Sequence, residues 1–325
     1  MKKRVLRLLT AVVMMTVLCV GCGKKNSDEG VSIRIGSLKG PTSIGLVYMM
    51  EQMEKGNTQN DYAFTMEATA DMLLPKVIQG ELDIVLIPAN VASVLYNKTE
   101  GGVSVIDINT LGVLYVVSAD NTVKSMEDLR GRTIYLTGKG TTPDFSLQYL
   151  LTQNGIELSE VTLEYKSEAT EVAAVLAANE NAVGVLPQPY VTALQMKNDA
   201  IEIVIDMTKE WEALDNGSRM VTGATVVRNE FLEKHPKLVE AFIEEHKQSA
   251  AYVNENVEEA AGLVEKFGIV EKAAIAKAAI PYCNITCITQ EEMASALSGY
   301  LKVLHDKKAE FVGGKLPGDD FYYCK

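Results

Sequence analysis

Lys39-Gly40-Pro41-Thr42-Ser43 and Lys139-Gly140-Thr141-Thr142 stand 100 residues apart, each placing a cation, a glycine and hydroxyls within a few positions. Asp71, with Thr69 beside it, and Asn90, Gln188 and Tyr190 also follow apolar segments. Hydroxyls, amides, one aromatic ring and isolated charges suit reversible hydrogen bonding to a small polar ligand. The candidate ligand-binding set is therefore Lys39, Gly40, Thr42, Ser43, Asp71, Asn90, Lys139, Thr141, Thr142, Gln188 and Tyr190. A plainer reading stands beside it: Thr42, Thr142 and Asp71 can cap their own helices, the glycines can simply permit turns, and the lysines can be solvated.

Catalytic groups are harder to assemble. His235, His246 and His305 lie in polar helical stretches and read as surface histidines. No His-Glu-x-x-His, Gly-x-Ser-x-Gly or phosphate-cradling glycine loop occurs, so no catalytic residue is nominated and no cofactor or metal is expected. Five cysteines, whose one Cys-x-x-Cys spacing (Cys19 and Cys22) falls at the end of the apolar N-terminal stretch and has no second pair to join it, argue against a disulfide scaffold and against structural zinc. Of these, Cys283, Cys287 and Cys324 read as structural thiols. An oxidising exterior would allow one pair among them to bond, and a reducing one would leave all three free. Trp211 reads as a lobe-surface anchor in preference to a cleft wall, and Met49, Met50, Met53, Met66 and Met72 as core filler.

The elements that must carry these residues repeat. Residues 31–50 and 131–150 each run apolar strand, Lys-Gly turn, threonine at a helix start, apolar helix. Residues 77–88 and 175–187 each run helix end, turn, buried strand, proline. Alternating strands and helices with continuous apolar strands imply an α/β fold, with a mostly parallel sheet covered on both faces in each copy. The segment 103–118, interrupted by Gly112, is expected to leave the first copy for the second, and 220–228 to return. Only helical patterns follow, at 236–254, 257–267, 271–280 and 290–305, the last opened by the capping-box sequence Thr289-Gln290-Glu291-Glu292. This divides the body into a discontinuous lobe I, 31–115 plus 222–325, and a continuous lobe II, 116–221, joined as a hinged clamp. Ligands of such sheets sit beyond the carboxyl ends of the strands.

Length and charge agree with that division. The 325 residues exceed what one small core usually serves, and 47% hydrophobic content excludes intrinsic disorder. With 43 acidic residues against 31 basic ones, the net charge of −12 disfavours nucleic acid and anionic membrane surfaces as partners.

Four segments carry a resemblance. Ser125-Met-Glu-Asp-Leu-Arg-Gly-Arg-Thr-Ile134, Gly80-Glu-Leu-Asp83, Ala89-Asn-Val-Ala92 and Leu186-Pro-Gln-Pro-Tyr190 are similar to the nitrate/sulfonate/taurine and thiamine-pyrimidine-precursor branch of ABC-transporter solute-binding proteins. The resemblance implies a two-lobed, periplasmic-binding-protein-like fold of type II, each lobe a mixed, mostly parallel sheet flanked by helices and joined by two hinge segments. It further implies capture of a small polar organic solute, sulfonate-, taurine- or pyrimidine-like, for an ABC permease; a monomer is the default expectation. Two alternatives stay open: a ligand sensor without transport, and an enzyme of the pyrimidine-precursor synthase type. The Cys-rich motif and active-site histidine of those synthases have no counterpart at the cleft turns here.

The N-terminus reads as an export signal. Lys2, Lys3, Arg4 and Arg7 precede a thirteen-residue, largely apolar stretch, 8–20, too short to span a bilayer. Leu18-Cys19-Val20-Gly21-Cys22 resembles a bacterial lipobox. Residues 1–21 are thus expected to be a signal peptide, Cys22 the lipidated residue and link to membrane lipid, and 22–30 a polar tether holding the protein on the extracytoplasmic face.

Overall fold

The computed structural model describes Asp28 and residues 30–325. The expected signal peptide, the Cys22 lipidation site and most of the tether lie outside the described residues. Among those described, no helix is long and apolar enough to cross a membrane.

From Ser32 to Lys325 the chain forms one compact unit built on two sheets. Its first stretch alternates strands and helices: β1 (Ser32–Leu38), α1 (Pro41–Ile44), α2 (Val47–Glu54), β2 (Asp61–Glu67), α3 (Ala70–Ile78), β3 (Ile84–Pro88), α4 (Ala89–Lys98) and β4 (Val103–Leu111). The second stretch runs β5 (Leu114–Ser118), β6 (Thr133–Leu136), α5 (Thr142–Gln153), β7 (Thr162–Tyr165), α6 (Ala169–Ala178), β8 (Val183–Pro187), α7 (Tyr190–Gln195), β9 (Glu202–Asp206) and α8 (Met207–Ala213). The chain ends with β10 (Val221–Arg228), α9 (Asn229–Lys234), α10 (Pro236–Glu255), α11 (Val257–Lys266), α12 (Ala273–Ala279), β11 (Ile285–Ile288) and α13 (Gln290–Lys307).

One sheet has the order β11-β4-β10-β3-β1-β2 and the other β7-β6-β8-β5-β9. The sequence repeat is visible in these orders. In both, three parallel strands (β2-β1-β3 and β7-β6-β8) are followed by an antiparallel strand, β10 or β5, that arrives from the other stretch of chain. Ile33, Ile35, Ile84 and Leu86 are fully buried, as expected where helices cover both faces of a parallel sheet.

The chain passes between sheets at two places. Gly112 and Val113 separate β4 from β5, so the crossing precedes the 115/116 boundary expected from sequence, and Leu114 and Tyr115 already pair in the second sheet. Glycine is required there: a Cβ on residue 112 would lie 2.0 Å from Thr208 Oγ1. The return runs from β9 through α8 to β10.

The C-terminal region differs from its sequence pattern in three ways. Four residues between helices, Ile285–Ile288, form β11, which pairs with β4 at Ile285↔Thr110 and Ile288↔Ile108 across an irregularity. The capping box is not made, because Thr289 forms no side-chain cap bond and Gln290 adopts a φ of 59°. Finally, His246 is fully buried rather than on the surface: α10 turns Val239, Phe242, His246, Ser249 and Val253 inward together.

Trp211 is likewise no surface anchor. It is fully buried between Tyr149 and Tyr300, with ring centroids at 4.7 and 5.3 Å, and its indole N–H donates to Ser218. Met49 is core, whereas Met72 is about half exposed. Cys283, Cys287 and Cys324 are all free thiols.

Candidate functional site

A cavity of about 390 Å³ lies where the carboxyl ends of the parallel strands of both sheets meet, and it is walled by equivalent turns. After β1 and β6 come Lys39 with Thr42 and Lys139 with Thr141. After β2 and β7 come Thr69 with Asp71, and Lys166 with Glu168. Pro88 and Pro187 close β3 and β8, while Thr222 on the β10 side and Leu114 on β5 complete the wall. Tyr190, at the start of α7, faces the first sheet's Lys-Gly turn.

Each Lys-Gly turn is held from behind. Asp144 is buried and accepts from the Gly140 backbone N–H at 2.8 Å, from the Tyr165 hydroxyl at 2.8 Å and from Gln148. Burial and the Asp144 carboxylate push the Tyr165 phenol well above its ordinary range, so it stays a donor. The Lys139 ammonium sits 5.3 Å from the centroid of that ring. On the first sheet, the Thr42 and Ser43 hydroxyls both donate to the Leu38 carbonyl, at 3.0 and 2.6 Å, and Ser43 also bonds Ser37.

Lys39, Thr42, Asp71, Lys139, Thr141 and Tyr190 of the expected set reach the cavity wall. The others have internal partners. Gly40 lies just behind, where a Cβ would sit 3.9 Å from the Tyr190 ring. Ser43 is fully buried against Leu38 and Ser37. Gln188 turns inward, where its side-chain carbonyl accepts from the Thr192 N–H and hydroxyl, satisfying the first turn of α7. Asn90 donates to the Gly140 and Phe311 carbonyls at 3.2 and 3.0 Å and accepts from Thr142 at 3.2 Å. Asn90 and Thr142 therefore join the two sheets' helices to each other behind the cavity.

Neither threonine acts as a helix cap: the residues preceding α1 and α5 are Gly40 and Thr141, and neither makes a side-chain cap bond. Thr69 and Glu168, which precede α3 and α6, make none either. These uncapped helix starts point partial positive charge toward the cavity. Burial and the nearby Glu168 carboxylate push the Tyr190 phenol up to about 12, so it is neutral and able to donate at any physiological pH. Its hydroxyl reaches the Lys39 carbonyl at 3.3 Å, a contact from the second sheet's turn to the first's.

Sequence reasoning missed Lys166, Ser167, Glu168, Thr137 and Thr222. The repeat itself held the signal for three of them. Once Thr69 and Asp71 are nominated after β2, the turn after β7 is their equivalent.

Comparison with known proteins agrees with this architecture. Residues 101–260 match the family model described as NMT1/THI5 like. The chain is similar to the NMT1/THI5-like family. A protein of Brucella abortus named as a binding protein is 24% identical over 235 residues, covering 70% of each chain. An ABC transporter structure from Parabacteroides distasonis superposes with a TM-score of 0.74 at 23% identity, covering 90% of this chain and 99% of that one. The periplasmic aliphatic sulphonate binding protein of Escherichia coli gives 0.73 at 14%, covering 90% and 92%. The fold is that of the periplasmic binding proteins, two mixed sheets with flanking helices.

Proposed function

We propose that this protein is the extracytoplasmic solute-binding component of an ABC importer, and that its two sheet-centred lobes close on a small zwitterionic organic solute of the aminosulfonate type. The observation that carries the reading is the cavity walled by equivalent turns of both sheets, since a ligand held from both sides favours the closed arrangement. Its volume falls in the range of small-molecule sites. The E. coli relative whose name specifies sulphonate has the same fold.

The charges suggest the zwitterion. Lys166 is occupied by Glu164 at 2.7 Å, which leaves Lys39 and Lys139 on a wall that also carries Asp71 and Glu168. Uncapped helix starts and the two lysines suit an oxyanion, and the two carboxylates suit an ammonium. Thr222 adds a buried hydroxyl that has no protein partner. Among the described residues neither cysteine nor histidine lines the cavity, which favours capture over catalysis.

Mass spectrometry of small molecules carried through native purification identifies the solute, and calorimetry with taurine and simple alkanesulfonates ranks the class. Lys139→Met and Asp71→Asn should each weaken binding of a zwitterion by roughly tenfold, the scale of a charge-assisted hydrogen bond. For a simple anion Asp71→Asn should instead tighten binding, and that result would replace the aminosulfonate with a bare oxyanion.

Delivery to a permease is best served by tethering, and the Gly21-Cys22 junction supplies the lipid site. Stable attachment needs two or more acyl chains. Cys22→Ser should release the protein from the membrane fraction or leave its precursor uncleaved. Unchanged fractionation and mass would exclude lipidation there.

A further inference from the structure

At the β11 edge of the first sheet, three potential ligand side chains meet that the solute site does not use. We propose that Asp107, His246 and Cys287 form a buried site for one borderline divalent cation of the zinc type. Their candidate ligand atoms all lie within 4.8 Å of one another. They come from three separate elements, β4, α10 and β11.

The protein's own hydrogen bonds leave this cluster incomplete. Asp107 is fully buried, takes the Thr225 hydroxyl at 2.7 Å and faces His246 Nδ1 at 3.1 Å. His246 is also fully buried, and Nδ1, the ring nitrogen turned toward Asp107, is the atom that would ligate. The Cys287 thiol has only a long, 4.0 Å contact with the Ile243 carbonyl. A dication with one carboxylate, one thiolate and one neutral imidazole is electrically neutral, so it can be buried without a net charge. A mixed oxygen, nitrogen and sulfur donor set is too soft for calcium or magnesium and suits zinc.

The placement also gives the ion structural work. β11 pairs with β4 at only two positions, with an irregularity between them. A cation held by Asp107 and Cys287 ties that edge strand to β4, and His246 ties both to α10. The exported sequence had offered no zinc motif, because the three residues are 139 and 41 positions apart and meet only in the fold.

Cobalt(II) titration of full-length protein, stripped with chelator under reducing conditions, tests the site. One equivalent should produce a thiolate-to-cobalt charge-transfer band that is lost in Cys287→Ser and His246→Gln and kept in Cys283→Ser and Cys324→Ser. Zinc(II) at about a hundredfold excess over its Kd should raise the melting temperature by roughly 5 °C in the wild type and not in Cys287→Ser. No band, or a band that survives Cys287→Ser, would overturn the proposal. Should His246→Gln fail to fold, the Cys287→Ser comparison decides alone, because serine is close to isosteric at that half-buried position.

Discussion

Replacing Asp83 with alanine should lower stability by about 3 kcal/mol while leaving solute affinity unchanged. Asp83 is buried where β3 begins, at the sheet end opposite the cavity. Its carboxylate accepts from Arg34 Nε at 2.8 Å, Arg34 Nη2 at 2.6 Å, the Arg34 backbone N–H at 3.0 Å and Arg228 Nη2 at 3.0 Å. One anion thus clamps β1, β3 and β10. Removing one partner of a buried pair costs roughly 3 to 5 kcal/mol. The lower end applies because the Arg34 side chain is 43% exposed and can regain water.

The same clamp makes stability depend on acid. Burial works against ionisation of Asp83, but the hydrogen bonds from Arg34 and Arg228 outweigh it and hold the carboxyl below its ordinary range. Its contribution is therefore complete above the unfolded value of about 3.9 and is lost as pH falls through the lower folded value. Urea denaturation between neutral pH and pH 3 should show a wild-type decline in the acid limb that is shallower in Asp83→Ala. Parallel curves would mean that Asp83 does not carry the effect.

Gly80-Glu-Leu-Asp83 entered the sequence reading through the repeat at 77–88 and through a family resemblance, and the structure gives Asp83 this role in folding. The Ser125 motif behaves in the same way. The Ser125 and Asp128 side chains complete a capping box around the turn Met126–Leu129, and that turn leads the chain into β6. Such segments look functional because they recur with a fold, yet their chemistry is that of strand clamps and turn starts.

The repeat made the sheets and their turns legible, because Lys-Gly after an apolar strand reports a strand-to-helix turn wherever it occurs. It could not show which polar residue of a turn faces ligand. Asn90 and Lys39 both follow buried strands. Asn90 turns away because Phe311 and Val312, more than 200 residues later, supply carbonyls behind it to Asn90 and Ser93. His246 was legible in part: its spacing from Val239, Phe242, Ser249 and Val253 follows the buried stripe of α10, but its polarity argued for the surface. Without knowledge of Asp107 across the sheet, a buried histidine has no partner to justify it. β11 was hidden for another reason, since four residues with two ladder positions leave too short a pattern to separate from the helices on either side.

Tyr190→Ala should weaken solute binding by roughly 2 to 3 kcal/mol, about 30- to 150-fold, if capture depends on closure over the cavity. The ring forms part of the wall, and its hydroxyl crosses to the Lys39 carbonyl, so it acts on the ligand and on the closed arrangement together. Tyr190→Phe separates the two contributions. It keeps the wall and loses only the crossing hydrogen bond, for which roughly 0.5 to 1.5 kcal/mol is expected. Because that bond forms between the lobes and not with the solute, its loss should appear as a smaller closed population in the ligand-free protein and as faster solute release. Small-angle scattering without ligand, together with calorimetry on both variants, reads these effects apart. If Tyr190→Ala binds the purified solute as tightly as wild type, the cavity is not the capture site, however well its turns match between the two sheets.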